Sequence, residues 1–327
     1  MTEKTEINDL PTSAERDAAE LVADLGAHKT ILVTGASGFI GQRLVSALIA
    51  AGHGVMALVR DAGKMMQAGP SIRLVTDLNQ IPSHTRIDAI VNLAGEPIGN
   101  ARWTRAKRQR IIDSRLATTR NLVALIARLA TRPPVLINGS AIGWYGLWED
   151  QQLTETSGAR ACFSHELCDA WEETAERATA LGVRVVLLRI GLVMGADGGF
   201  LPRMLTPFKF GFGVQFGSGL QWMSWIERDD LIGLIVHAIV RSDITGPLNA
   251  TAPHPVTNEQ FVGALAQSLL RPTIFRVPAA VLRLVGGQFA DELLSGGQRV
   301  IPAKALASGF VFRHERLRNA LDAVFEN

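Results

Sequence analysis

The sequence predicts an α/β protein in which a doubly wound parallel sheet carries a smaller, irregular C-terminal lobe. Three observations predict it. Up to residue 199, short β-rich runs alternate with helical patterns, and a parallel crossover needs a connection of helix size. A buried apolar run passes straight into glycines at 35, 38 and 41 and then into a helical pattern. After Arg189 the texture changes to glycine-rich stretches set with aromatics. The first two observations specify a sheet of Rossmann type; the third specifies the lobe.

Taken in order, Thr30–Val33 reads as the first strand, and the pattern from Phe39 to Ala51 as a helix stopped by Gly52. Val55–Val59 and Ile72–Val75 are the next strands, and Ala89–Leu93 is the fourth. A long helix from Thr104 to Leu129 stops before Pro133 and Pro134. Val135–Asn138 is a fifth strand, Phe163–Leu181 a helix ending at Gly182, and Val183–Leu188 a sixth strand. Residues 29–199 thus form the nucleotide-type domain, and residues 200–327 the smaller lobe. Within the latter, 226–252 is expected to return to the large domain. The aromatics Phe208, Phe210, Phe212, Phe216, Trp222 and Trp225 either line a substrate pocket or form the lobe's core. Residues 1–28 are expected to be a flexible extension, although Ser13–Leu25 has the pattern of a short amphipathic helix with Ser13 as cap.

Composition excludes several classes. With 47% hydrophobic and 20% charged residues the chain is neither disordered nor fibrous. A net charge of +2 gives no field strong enough to imply nucleic acid or an anionic membrane as partner. Cys162 and Cys168 are too few for a disulfide scaffold or a four-cysteine zinc site, so they read as packing residues and no metal is expected. No apolar run approaches the ~20 residues of a membrane span, and no secretory pattern opens the chain. The expectation is a cytoplasmic monomer or homodimer acting on a small molecule. The stripe Arg102, Arg105, Lys107, Arg108, Arg110 and Arg115 has only Asp113 as counter-charge and reads as a solvated helix face, part of which could reach the cleft.

The segment from Ile31 to Gly41 carries the strongest chemistry. Gly35 permits the tight turn, Gly38 lets backbone approach a pyrophosphate, and Gly41 lets the helix pack on the strand. Ser37, Phe39 and Ile40 complete the turn, whose free amides and positive helix end suit phosphate. An NAD site would end the second strand with an acid for the ribose 2′-hydroxyl. Here that place holds Arg60, with Arg43 on the first helical turn, and two guanidiniums suit a 2′-phosphate. The expected cofactor is NADP(H).

These residues resemble the extended, NAD-dependent epimerase/dehydratase branch of the short-chain dehydrogenase/reductase superfamily. Thr34–Gly41 is similar to its TGxxGFIG turn, and Asp77 to its adenine-contacting acid. The Asn92-Leu93-Ala94-Gly95 stretch is similar to its cofactor-lining NAG motif, and Ile226–Asp230 to its HVDD stretch. Leu188–Gly195, with Arg189 and Leu192, resembles the segment that passes the nicotinamide. Ser140 lies where the branch keeps its catalytic serine. More narrowly, Asn92–Ile98, Ser140–Gly146, Leu167–Glu172, Arg271-Pro272, Gly296–Pro302 and Gly309–Phe312 resemble a subgroup of uncharacterised "epimerase family" proteins with a C-terminal domain of unknown function. The resemblance spans about residues 29–325 and implies the fold and the cofactor, but no substrate.

One feature of that superfamily is missing. Its Tyr-x-x-x-Lys pair places a lysine beside a phenol to lower the phenol's pKa. The only tyrosine here is Tyr145, followed four residues later by Glu149, and no lysine stands between Lys107 and Lys209. Aligning Glu172 with the acid after the usual lysine puts Ser164 at the tyrosine position and Cys168 at the lysine position. The catalytic candidates are therefore Ser140 and Tyr145, with His165 read as a surface residue. Arg203 is the nearest anion clamp of the second lobe. Two functions are compatible with this pattern: an NADP(H)-dependent oxidoreductase or epimerase/isomerase on a small carbonyl or hydroxyl compound, or a cofactor-binding sensor or scaffold without turnover.

Overall fold

The computed structural model describes residues 13–61, 72–99, 102–209, 211 and 213–326. Its strands are Thr30–Thr34 (β1), Gly54–Leu58 (β2), Ile72–Val75 (β3), Ala89–Asn92 (β4), Val135–Ala141 (β5), the short Gln152–Leu153 (β6) and Arg184–Ile190 (β7). A further strand, Gly246–Ala250, completes a seven-stranded sheet in the order Gly246–Ala250, β7, β5, β4, β1, β2, β3. Every pairing in it is parallel. β1 lies between β4 and β2, so the chain reverses direction across the sheet at β1, where open α/β sheets hold their ligands.

The helices used below are Ser13–Glu20 (α1), Phe39–Ala50 (α2), Arg105–Arg128 (α3), Phe163–Glu176 (α4), Leu201–Lys209 (α5) and Arg228–Val240 (α6). Alternation along β1 explains the layers. Ile31 and Val33 face a core with Leu44 and Leu48 of α2 and Leu231 and Ile235 of α6. Leu32 faces the opposite core with Leu122, Leu125 and Ile126 of α3. Both faces are covered, which is why the strands read as continuous apolar runs rather than alternating ones.

Three features differ from the sequence expectation. β5 continues three residues past Asn138, because Gly139, Ser140 and Ala141 keep pairing with Leu188, Arg189 and Ile190 of β7. The segment from Ser13 to Leu25 is not a flexible extension: α1 is helical, and Ala18, Leu21, Val22 and Leu25 are buried in the same core as α2 and α6. Its apolar face outweighed the usual looseness of a terminus. Residues 1–12 lie outside the described residues. The C-terminal segment, lastly, returns to the large domain further than anticipated. Besides α6 and Gly246–Ala250, Ala305 and Phe312 are buried in the sheet's core.

The lobe's own core comprises Leu201, Met204, Phe208, Met223, Trp225, Phe261, Leu265 and Leu321. Phe208 and Trp225 are core residues rather than pocket lining, while Trp222 lies beneath the Arg299 guanidinium, 4.3 Å from its ring centroid. Phe210 and Phe212 lie outside the described residues. Among the described residues no helix is long and apolar enough to cross a membrane.

Candidate functional site

The candidate site lies at the carboxyl edge of the sheet, around the turn from β1 into α2. Gly35 has φ +68°, and a Cβ there would lie 2.6 Å from the Leu93 carbonyl oxygen. A Cβ on Gly41 would collide with the Gly35 carbonyl. The fold itself therefore requires glycine at both positions. Gly38 is different: its φ of −83° suits any residue, and a Cβ would meet only the Gly35 oxygen, at 3.1 Å. The bare edge at Gly38 faces outward, where no protein group fills it. No side chain caps α2, and its first turn holds no acid, so the amides at its start await an acceptor. This cradle fits a dinucleotide pyrophosphate.

The other lining candidates are spread along the same edge. Ser37 is exposed; Phe39 and Ile40 are half-buried, with the Phe39 ring wedged under Gly195, Gly198 and Gly199 and beneath the Arg228 guanidinium. Leu93 and Ala94 leave β4, and the Ala94 amide donates to Thr34 Oγ1 at 3.3 Å. Gly95 is exposed beside them. Asp77, also exposed, accepts from the Asn79 amide at 2.9 Å and so shapes the turn after β3. Leu192 starts the strand after β7, its amide donating to the Ser224 carbonyl.

The two arginines expected at the 2′-phosphate are not equivalent. Arg60 is exposed at the end of β2. Arg43 donates from Nε and Nη2 to the two carboxylate oxygens of Asp229 on α6, at 2.7 and 2.6 Å. This pairing raises its pKa and offsets its charge with that of Asp229. The expectation of two free guanidiniums is thus corrected: the open charge at this place is Arg60's.

The catalytic candidates require a larger correction. Tyr145 is fully buried, and its hydroxyl donates to Asn249 Oδ1 at 2.7 Å. Burial pushes its pKa up, beyond what Arg189 and Asn249 offset. A phenol buried with Leu153 and Val300 and bonded to Asn249 does not meet a substrate. Ser140 is almost fully buried and donates its hydroxyl proton to Glu172 Oε1 at 2.6 Å. Glu172 in turn receives Nε and Nη2 of Arg189 at 2.9 and 2.8 Å, and the Arg189 guanidinium stacks 3.4 Å from the Trp144 ring centroid. Arg189 is therefore the buried partner of Glu172 and does not line the cleft. With its proton held by a carboxylate, Ser140 can only accept a hydrogen bond from another group.

At the positions matched to the missing pair, the chain is uncharged. The Cys168 thiol is buried, which pushes its pKa up to about 12. Ser164 donates its hydroxyl to Glu292 Oε2 at 2.6 Å, and the amides of Phe163 and Ser164 donate to the same carboxylate at 3.2 and 2.9 Å. Glu292 belongs to the C-terminal lobe and caps α4 from outside. Sequence reasoning missed it, yet a signal existed: α4 starts after Cys162, which is no capping residue, so its first amides need an acceptor from elsewhere. His165 is half-buried rather than on the surface, its Nδ1 2.6 Å from the Trp144 carbonyl.

Arg102, Arg105 and Arg110 of the basic stripe are exposed, while the rest of it is held by the protein. Lys107 contacts Glu96 at 2.5 Å and Arg110 approaches the same carboxylate at 3.5 Å; the Lys107 hydrogen bond holds Glu96 below the usual carboxylate range. Arg108 donates to Gln288 and covers the Phe163 ring at 5.0 Å. Arg203 donates to the Gly99 carbonyl at 2.9 Å, bridging lobe and domain.

Comparison with known proteins matches this architecture throughout. Residues 31–249 match the model of the NAD dependent epimerase/dehydratase family, and residues 277–324 match a domain of unknown function, DUF1731. An epimerase family protein of Mycobacterium tuberculosis is 38% identical over 297 residues, covering 90% of this chain and 97% of that protein. A chloroplastic homologue of SDR39U1 from Arabidopsis thaliana is also 38% identical, covering 91% of this chain and 87% of that protein. The crystal structure of human epimerase family protein SDR39U1 (isoform 2) with NADPH superposes with a TM-score of 0.81 and 32% identity, covering 91% of this chain and 99% of that chain.

Proposed function

Since the chain belongs to the NAD dependent epimerase/dehydratase family, we propose that it binds NADP(H) along the carboxyl edge of its sheet. In this reading it acts as an oxidoreductase or epimerase/isomerase on a small carbonyl or hydroxyl compound. The observation that carries the reading is the bare edge at Gly38 beside uncapped amides of α2, which nothing in the protein fills. The human relative's structure with NADPH supports the choice of nucleotide, as does Arg60 at the end of β2. The amides of Phe39 and Ile40 would hold the pyrophosphate, Asp77 the adenine side, Arg60 the 2′-phosphate, and Leu93, Ala94 and Leu192 the wall along the rest of the cofactor. When bound, the nicotinamide supplies hydride chemistry.

Without a Tyr-x-x-x-Lys pair and with Tyr145 sealed, proton handling falls to Ser140, backed by Glu172. A hydroxyl whose proton is committed to a carboxylate accepts from a substrate hydroxyl, so the geometry favours an alcohol over a carbonyl as the group it meets. A second reading, a cofactor-binding sensor without turnover, is favoured by one observation: the hydroxyls of Ser140 and Ser164, at the positions matched to the family's serine and tyrosine, and that of Tyr145 are already bonded inside the protein. The test has two stages. NADPH and NADH are titrated against the wild type and Arg60→Ala; tighter binding of NADPH, reduced about tenfold in the variant, is expected from one charge-assisted contact. Equal affinity of the wild type for both cofactors would refute NADP(H). Alcohols and carbonyls are then screened for NADP⁺ reduction and NADPH oxidation; a hit that Ser140→Ala abolishes selects the enzyme, and a broad screen without one selects the sensor.

A further inference from the structure

Three arginines near the carboxyl edge of the sheet are ion-paired, whereas Arg60 is exposed and Arg115 stands apart. Arg43 is held by Asp229, Arg189 by Glu172 and Arg228 by Asp197, each in an ion pair of 2.6 to 2.8 Å. Arg115, on α3, has no carboxylate within ion-pair distance among the described residues. Its nearest acid, Glu96, is taken by Lys107 and Arg110. Its guanidinium is held by neutral groups only. Nη1 donates to the Glu96 and Ile111 carbonyls at 3.0 and 3.2 Å, and Cζ lies 5.0 Å from the Trp171 ring centroid. Nε and Nη2 have no partner among the described residues, and neither is sealed from solvent.

The seat of that guanidinium is specific. A Cβ on Gly95 would lie 2.8 Å from Arg115 Cζ and 3.0 to 3.1 Å from its two terminal nitrogens. Arg115 therefore lies against the bare face of Gly95, at the mouth of the turn that leaves β4. On its other side stand Trp171 and Cys168, neighbours on α4 one turn apart, and Cys168 occupies the place matched to the absent lysine. Its thiol is neutral, so α4 contributes no cation here. Burial lowers the Arg115 pKa, but a guanidinium remains charged at any pH the protein survives.

Position along the sheet edge decides which part of a dinucleotide would meet it. β1 turns into the phosphate cradle at the centre, and β2, ending in Arg60, lies on one side. β4 and β5 lie on the other side, so the half of the cofactor remote from adenosine runs past Gly95. We propose that Arg115, delivered from α3 against Gly95, is the cationic anchor for the nicotinamide half of the cofactor, in the place where Cys168 leaves α4 without charge. The proposal rests on the NADP(H) reading. Arg115 donates from Nε and Nη2 to the hydroxyls of the nicotinamide ribose, and Gly95 is glycine so that the guanidinium can reach them.

The test uses the whole chain and two ligands. NADPH carries the nicotinamide half; 2′,5′-ADP lacks it. Binding of each is measured by calorimetry for the wild type, Arg115→Met, Arg115→Lys and Gly95→Ala. The wild type should bind NADPH more tightly than 2′,5′-ADP. Arg115→Met should weaken NADPH by tenfold or more and change 2′,5′-ADP by less than twofold, with Arg115→Lys recovering part of the loss. Gly95→Ala, which displaces the guanidinium while keeping it in the chain, should show the same selective loss and serves if Arg115→Met does not fold. Equal weakening of both ligands, or no weakening of either, overturns the proposal by reducing Arg115 to a brace for the Gly95 turn. A wild type that binds neither ligand refutes the NADP(H) reading instead.

Discussion

At the scale of single residues, identical letters carry different reasons. Gly35, Gly38 and Gly41 look alike in sequence, but only Gly38 lacks a reason inside the protein. Gly38→Val should therefore leave thermal unfolding within a few degrees of the wild type and abolish NADPH binding, whereas Gly35→Ala should lower the melting temperature. Normal NADPH affinity in Gly38→Val would mean that the cradle lies elsewhere. Tyr145 shows the opposite case, a residue that looks catalytic and is structural. Tyr145→Phe removes the hydroxyl and leaves Asn249 Oδ1 buried without its donor. The expected cost is about 1–3 kcal/mol in urea unfolding, with NADPH affinity and any turnover, including its pH profile, unchanged. A variant that loses activity at unchanged stability would return Tyr145 to the mechanism.

At the scale of elements, the starts of helices carry the charge chemistry. α6 begins at Glu227, which caps the amides of Asp229 and Asp230 at 2.5 and 3.2 Å. Asp230 accepts the amides of Arg313 and His314, at 2.6 and 2.9 Å, and so docks the segment before the last helix. Burial, and then the neighbouring Asp229, push the Glu227 carboxyl up to about 7 from an ordinary 4.5. His314 is raised too, chiefly by Asp230, whose carboxylate lies 3.3 Å from Nδ1. The groups facing this cluster are Arg43, Asp229, Asp230 and Arg313. A carboxyl with a higher pKa in the folded state binds more protons folded than unfolded. Its contribution to stability is complete below about 4.5 and is lost as pH rises to about 7; that of His314 is lost with rising pH as well. Glu227→Gln keeps an acceptor for the cap and removes the titration. Relative to the wild type it should gain on the order of 1–3 kcal/mol between pH 5 and pH 7.5, read from urea unfolding at both values. A constant difference across that range would remove Glu227 from the pH dependence.

At the scale of the whole molecule, one buried carboxylate ties the C-terminal lobe to the start of α4. Glu292 accepts two amides and a hydroxyl from the start of α4 and the side-chain amide of Gln288. Glu292→Ala leaves these donors buried and unpaired, and should cost about 2–4 kcal/mol and expose the junction to limited proteolysis; Glu292→Gln should retain part of the stability. If Glu292→Ala unfolds like the wild type, the Glu292 carboxylate is not what holds the lobe. Arg203 on Gly99 and Arg108 on Gln288 tie the lobe to the same rim. The site is thus shared between the sheet edge and a lobe more than a hundred residues distant in the chain.

What the sequence determined by itself was local. The apolar period of Thr30–Val33, the glycines that follow and the helix stop at Gly52 depend on neighbours within a few residues, and so the sheet, its crossovers and the glycine turn from β1 into α2 were legible. The absence of a Tyr-x-x-x-Lys pair was legible for the same reason, as a fact of spacing. The tertiary structure alone decided which polar groups have partners. Nothing near Arg43 announces Asp229, nothing near Ser140 announces the Glu172–Arg189 pair, and nothing near Tyr145 announces Asn249. A hydroxyl or guanidinium is available to a ligand only if no protein group has already claimed it, and those claims come from elements that meet only in the folded chain. For the same reason Arg115, one charge in a stripe of six, became distinct only when the fold set its guanidinium against Gly95 with no carboxylate to pair it.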